Sequence, residues 1–222
     1  LAFALTKVLV EDGDHIRIGS TYSKHLAQSM IETLETVCAN HLNRAFNASY
    51  LGGDGKALIA NDHPDIAGGA AGANSRSNLL TTSAALSQTS LEQMLIQIRQ
   101  AEDPRGKKIR VSPKKLVVAP GNMLTAEVLL KSVLRAGTNN NDLNPVKSMG
   151  LLSDVAVLSR LTSATAWFVQ TDAPEGIKVL WRRKTEKAME GDFETDSVRY
   201  KSTMRFGSGW TDWRAMFGTS GT

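Results

Sequence analysis

The sequence predicts an α+β fold, and three observations carry the prediction. One uninterrupted helical pattern occupies residues 22–46, two shorter helical patterns follow it, and the last third of the chain changes its apolar period from about 3.6 to 2. Helices first and strands last differ from a chain of repeating β-α-β units.

The helical pattern at 22–46 organises the rest. Ala27, Ile31, Leu34, Cys38, Leu42 and Ala45 recur at helical spacing, and Leu26, Met30, Val37 and Phe46 widen the same side into a core-facing stripe. Lys24, Gln28, Glu32, Thr36, Asn40 and Arg44 occupy the opposite face. No Pro or Gly interrupts about 25 residues, enough for a rod of roughly 37 Å. Ser20 is the expected N-cap, and the polar, glycine-rich stretch 47–55 is the expected stop. A strict heptad is missing, so the stripe is expected to meet a sheet or several elements rather than a second coiled helix.

Before that helix, residues 1–10 and 15–18 have the character of short strands on either side of the acidic turn Glu11-Asp12-Gly13-Asp14. After it, residues 56–60 read as a short strand and residues 61–77 as a long loop, nearly all small or polar. Thr89 with Glu92 and Ser90 with Gln93 both fit a capping box opening a second helix, with Leu91, Met94, Leu95 and Ile98 on one face and Asp103-Pro104 ending it. Residues 115–119 form a buried strand between Pro113 and Pro120. Asn122 is placed to cap a third, well-buried helix that Gly137 ends, before the asparagine-rich loop 138–145. Strands are expected at 155–158, 165–170 and 177–181. From Val198 to Phe206 a clean two-residue alternation puts Val198, Tyr200, Met204 and Phe206 on the core and Arg199, Lys201 and Arg205 on the outer face. The aromatic end, Trp210, Trp213 and Phe217, is expected to dock against this chain or a neighbour.

The 222 residues, 41% of them hydrophobic, suffice for one domain or two small ones. No run of about 20 apolar residues predicts a membrane span, and the first ten residues lack the layout of a secretory signal. Leu1 in place of a starting Met leaves a longer polypeptide open. The lone Cys38 excludes an intrachain disulfide, and its place on the apolar stripe makes it a small buried hydrophobe. No His/Cys cluster has metal-site spacing, and the glycine-rich stretches match neither phosphate-loop nor dinucleotide-loop patterns, so neither metal nor cofactor is expected.

Three function classes remain. Asp62 and His63, adjacent in a loop, are the best candidates for a small hydrolase, although neighbours in an extended segment point apart. Arg105, Lys107, Lys108, Arg110, Lys114 and Lys115 form a dense basic group that a nucleic-acid-binding module could use, and Arg182, Arg183, Lys184 and Lys187 form a second; neither carries interleaved aromatics for base stacking. The net charge of +4 permits polyanion contact without requiring it.

The third class comes from resemblance. Ala39-Asn-His-Leu-Asn-Arg-Ala-Phe46, Asp54-Gly-Lys-Ala-Leu58, Asp62-His-Pro64, Ser77-Asn-Leu-Leu80, Leu116-Val-Val-Ala-Pro120, Ala166-Trp-Phe168, Arg205-Phe-Gly207 and Asp212-Trp-Arg214 occur in an order covering nearly the whole chain. In these stretches the chain resembles the major capsid proteins of tailed bacteriophages with the HK97-type fold, and most closely the head subunits of Mu-like phages. The resemblance implies a long spine helix at 20–46, a peripheral sheet and an axial domain. It divides the chain into a first peripheral part at 1–88, an axial domain at 89–190 and returning peripheral strands at 191–222, with residues 1–18 at the base of an extended loop. It implies no catalytic residue and no cofactor. It implies a homo-oligomer of hexamers and pentamers closing an icosahedral shell in the virion, assembled in the host cytoplasm. Scaffolding, portal, maturation-protease and decoration proteins would be partners, with non-specific contact to packaged double-stranded DNA. Trp210, Trp213 and Phe217 would then be packing anchors at interfaces, Arg199, Lys201 and Arg205 charged contacts, and the group from Arg105 to Lys115 axial-domain surface.

Overall fold

In the computed structural model, residues 1–64, 76–135 and 142–221 are described. Most of the expected loop at 61–77, the helix end at Gly137 and the asparagine run 139–141 lie outside them. The chain divides into two compact units, residues 1–38 with 179–208, and residues 39–178 with 209–222. These boundaries differ from the expected segments 1–88, 89–190 and 191–222. Leu42, Ala45, Leu58, Ile59, Met216 and Phe217 are buried against the middle of the chain, so the segments that carry them belong with it.

In the first unit, β1 (Ala2–Leu5) is followed by a short helix α1 (Lys7–Glu11) and by the long helix α2 (His15–Asn43). The helix begins earlier than expected, and residues 15–18 are helix rather than strand. Gly13, at φ +79°, makes the turn, and Asp14 holds Arg17 one turn on through two hydrogen bonds of 3.1 and 3.2 Å. A carboxylate at this end is favourable against the helix dipole, and Ser20 sits inside the helix rather than capping it. Gly19 is tolerated because it faces Leu5, whose Cδ1 would lie 3.3 Å from an added Cβ.

Two long strands, β5 (Ile177–Asp192) and β6 (Ser197–Trp210), complete a three-stranded sheet in the order β1-β6-β5. Strand β1 pairs antiparallel with β6, Phe3 opposite Tyr200, and their rings stack 4.9 Å apart while Tyr22 meets Phe3 edge-on. The alternation of β6 is as expected, with Val198, Tyr200, Met204 and Phe206 half-buried and Arg199, Lys201 and Arg205 exposed. Strand β5 is far longer than the five residues expected, since charged residues beyond Trp181 continue it.

The second unit is built around a four-stranded sheet of residues 154–157, 113–118, 167–171 and 216–219, in that order. Strands β2 (Pro113–Val118) and β3 (Asp154–Val157) are parallel, and the antiparallel β4 (Trp167–Thr171) and β7 (Met216–Thr219) extend the sheet. Helix α3 (Gln88–Arg99) covers it with Leu91, Met94, Leu95 and Ile98, each at most 4% exposed and each contributing about 1.5–3 kcal/mol through burial. Its cap is Ser87 with Ser90, two residues before the expected Thr89. Helix α4 (Met123–Lys131) is preceded by a 3-10 turn at Pro120–Asn122. Asn122 reaches Ala164 O instead of capping it. Only Ala126 and Leu129 of α4 are buried, whereas Leu124 is 72% and Val128 51% exposed, so the expectation of a well-buried helix is corrected. A short helix α5 (Pro145–Ser148) leads back to β3. Residues 56–60 form no strand, yet Ala57, Leu58 and Ile59 are buried under β4 and β7.

Candidate functional site

Two places concentrate polar chemistry, one in each unit. In the second unit, the centre is His63, fully buried. Its Nδ1 lies 2.6 Å from Asp54 Oδ2 and its Nε2 3.0 Å from Asn78 Oδ1. Asn78 is also fully buried. Its amide nitrogen faces the carbonyls of Leu58, Met216 and Trp213 at 2.7, 2.8 and 3.2 Å, and its Oδ1 accepts from the Ala60 N–H at 2.9 Å. Three carbonyls fix the nitrogen's identity, so Oδ1 is an acceptor and His63 Nε2–H donates to it. Trp213 stacks on the imidazole at 4.3 Å and 8°, and the Arg214 guanidinium lies 4.3 Å from the same indole.

This knot ties three separate segments together because each has buried backbone groups that irregular chain cannot satisfy alone. Beside it lies an open cleft of about 510 Å³, bordered by Asp54, Pro64, Asp212, Trp213 and Arg214. The cleft's carboxylates are already engaged. Asp212 accepts from the Arg214 N–H, Asp54 holds His63, and Glu175 pairs with Lys178. Arg214, 8% exposed, donates through Nε to Glu102 O and through Nη1 to Asp212.

Asp62 and His63 are not brought together as a catalytic pair. Asp62 turns out to Lys56, while the His63 ring is enclosed with both nitrogens engaged, so neither arrangement leaves a base facing a substrate. Among the described residues no cluster of His, Cys, Asp or Glu could hold a metal ion, and no helix is long and apolar enough to cross a membrane. Asn78, the hub, is not legible as a site residue in the sequence. One Asn in a polar stretch carries no periodic signal, and its role arises from contacts as far as 138 residues away.

The basic group from Arg105 to Lys115 is dispersed by its local structure. Arg105 and Lys107 sit on a turn whose backbone N–H groups both donate to Asp103 Oδ1 at 2.8 Å, which holds that carboxyl below its ordinary range. Lys108 pairs with Glu102 at 2.6 Å and Lys115 approaches Asp154 at 3.8 Å, while Arg110 and Lys114 are exposed.

The aromatic end resolves into two kinds of residue. Trp213 and Phe217, 7% and 1% exposed, are spent on the chain's own core. Trp210 is half-buried, edge-on to His41 at 5.5 Å, and so close to Gly52 that an added Cβ would lie 2.6 Å from its Nε1. Burial, aided by Arg44, lowers the affinity of His41 for a proton. Cys38 is half-buried, and burial pushes its thiol up.

In the first unit, the outer face of β6 carries Arg199, Lys201 and Arg205. Arg199 meets Asp192 of β5 at 2.5 Å, and Lys201 meets Glu190 at 4.0 Å. The Asp192 carboxyl is held below its ordinary range by the Thr195 hydroxyl and then by Arg199. These exposed pairs set cross-strand register more than stability.

With the fold and both polar centres described, comparison with known proteins places the chain. A family described as phage capsid protein matches residues 2–218. The chain belongs to that family and is a structural capsid subunit with an α+β capsid fold, a component of the virion. Solved structures agree on the fold. The capsid of cyanophage P-SCSP1u matches with a TM-score of 0.57 at 11% identity, over 100% of this chain and 71% of that one. A Mycobacterium phage Che8 chain gives 0.54 at 11% identity, over 100% and 70%. A phage-related protein from Bordetella bronchiseptica RB50 gives 0.54 at 13% identity, over 99% and 71%. No curated protein sequence matches. None of these matches singles out the Mu-like head subunits.

Proposed function

We propose that this chain is the major shell-forming subunit of a tailed-phage head, assembling in the host cytoplasm as hexamers and pentamers around double-stranded DNA. The family match across residues 2–218 carries the reading. The surface is consistent with it. Leu124, Val133, Leu143 and Met149 are 60–72% exposed, apolar side chains that contact with another copy would cover. In this reading the first unit belongs to the peripheral domain, and the segments around α3, α4 and β2–β4 to the axial domain. Arg199, Lys201, Arg205 and Trp210 are the candidates for contact between copies. Trp213 and Phe217 act from within by holding the C-terminal strand. Scaffolding, portal, maturation-protease and decoration proteins are the partners this role implies, and DNA is met without sequence readout.

The test is expression of the complete protein with any scaffold it requires, followed by negative-stain electron microscopy and light scattering. Closed particles or capsomer-tiled tubes are the expected result. In the same assay Leu124→Glu leaves the subunit folded and reduces the particle yield at least several-fold; unchanged yield would remove the apolar face of α4 from the assembly surface.

A further inference from the structure

Among the described residues, the outer edge of β5 has no strand beside it in the first unit. It is an edge strand, and every residue from Leu180 to Gly191 is exposed. Its outward backbone N–H and C=O groups are a template for another strand. Trp181, Met189 and Phe193 are 41%, 65% and 99% exposed along it and its end. The strand is 16 residues long and no proline interrupts it between Ile177 and Asp192, so its charged side chains are what keep this edge from pairing indiscriminately.

Its charges are arranged in a polar sequence. Arg182, Arg183, Lys184 and Lys187 crowd the first half, and Glu190 and Asp192 the second. A polyanion meeting the first half would be repelled by the second. A parallel second copy in register would place each charge on itself. An antiparallel copy reverses the order and sets opposite charges across the seam.

We propose that β5 pairs antiparallel with β5 of a second copy, about a twofold axis at Lys187. This rests on the reading of the chain as a shell-forming subunit. The register sets Arg182 opposite Asp192 of the second copy, Lys184 opposite Glu190, Thr185 opposite Met189 and Trp181 opposite Phe193. Each of these pairs occurs twice, and Lys187 alone meets its own copy. Sliding by one residue on each strand in one direction sets Glu186 against Glu190, and in the other direction Glu186 against itself. Of these three even registers the Lys187 register is the one without an acidic clash, and even registers keep the charged faces of both copies on one side. Intrachain contacts are compatible with it. Thr195 and Arg199 both approach Asp192 through Oδ2, and Lys187 Nζ donates to Ser23 Oγ at 3.3 Å, away from its twin.

Residues directly opposite in an antiparallel pair have Cα atoms about 4.5–5.5 Å apart, within disulfide range. The experiment is mild oxidation of the complete protein carrying Cys38→Ser, with non-reducing electrophoresis and electron microscopy of the same sample. Lys187→Cys is expected to give a covalent dimer. Thr185→Cys and Met189→Cys are each expected to stay monomeric alone and to cross-link when co-assembled. Adding Lys184→Glu to Lys187→Cys should reduce the dimer several-fold, and Glu190→Lys should restore it. Particles without a Lys187→Cys dimer, or equal cross-linking at all three positions, would overturn the pairing and leave the shell reading intact. A Lys187→Cys dimer in protein that never forms particles would support the pairing and count against the shell reading. Neither particles nor dimer would remove both.

Discussion

Asn78 concentrates more of the second unit's irregular backbone than any apolar residue could. Asn78→Ala removes the donor to three carbonyls and the acceptor for a backbone N–H and His63 Nε2 together, so it should destabilise by about 3 kcal/mol, read as a fall in the urea midpoint. Gly218 is needed for a different reason. A Cβ there would lie 2.5 Å from Phe168 Cδ1 and 2.7 Å from Ile59 Cδ1, so Gly218→Ala should cost about 1–3 kcal/mol by overpacking. His41 gives a pH dependence with a definite sign. Its folded state binds a proton less readily than the ordinary histidine value of 6.5, so below about that pH the unfolded chain takes up more protons. Its contribution is complete above that value and is lost as pH falls through the folded value. Thermal stability should fall on acidification from pH 7 to 5.5, and His41→Asn should flatten that part of the slope; an unchanged slope would assign the acid sensitivity elsewhere.

Helix α4 shows at the element scale what an apolar pattern reveals and what it conceals. Leu129→Ala, at a position 5% exposed, should cost about 2–5 kcal/mol, whereas Leu124→Glu, at a position 72% exposed, should change the isolated subunit's stability by less than about 0.5 kcal/mol. Denaturant titration of the two variants separates the faces. Both leucines look like core in the sequence, because an apolar side chain has the same signature whether it meets its own chain or another. The same ambiguity affects α2, where Leu26, Met30 and Leu42 are buried as the stripe implies, but Ile31 is 58% exposed. Strand periodicity was clearer. The alternation of β6 assigned its faces correctly, and β2 and β4 lie within a few residues of their expected bounds. Strand β5 was cut short because its second half is charged, and charge on an edge strand looks like loop. The His63 knot was illegible because its members come from three segments joined only by folding.

At the scale of the whole molecule, the α+β architecture was legible from the order of its elements, and its capsid identity from short stretches that are weak singly and ordered collectively. The division into compact units was not. Strands β5 and β6 and helix α2 each run from one unit into the other, so no change of composition marks the passage. A subunit that presents an open 16-residue edge strand and exposed Leu124 and Val128 on α4 gains from many weak contacts repeated on a closed lattice, where multivalency stabilises the shell beyond any single pair. Negative-stain electron microscopy of the complete protein, with its scaffold where one is required, tests this most directly. Closed shells or tubes tiled with hexameric capsomers are the predicted result; a homogeneous monomer under assembly-permissive conditions would contradict it.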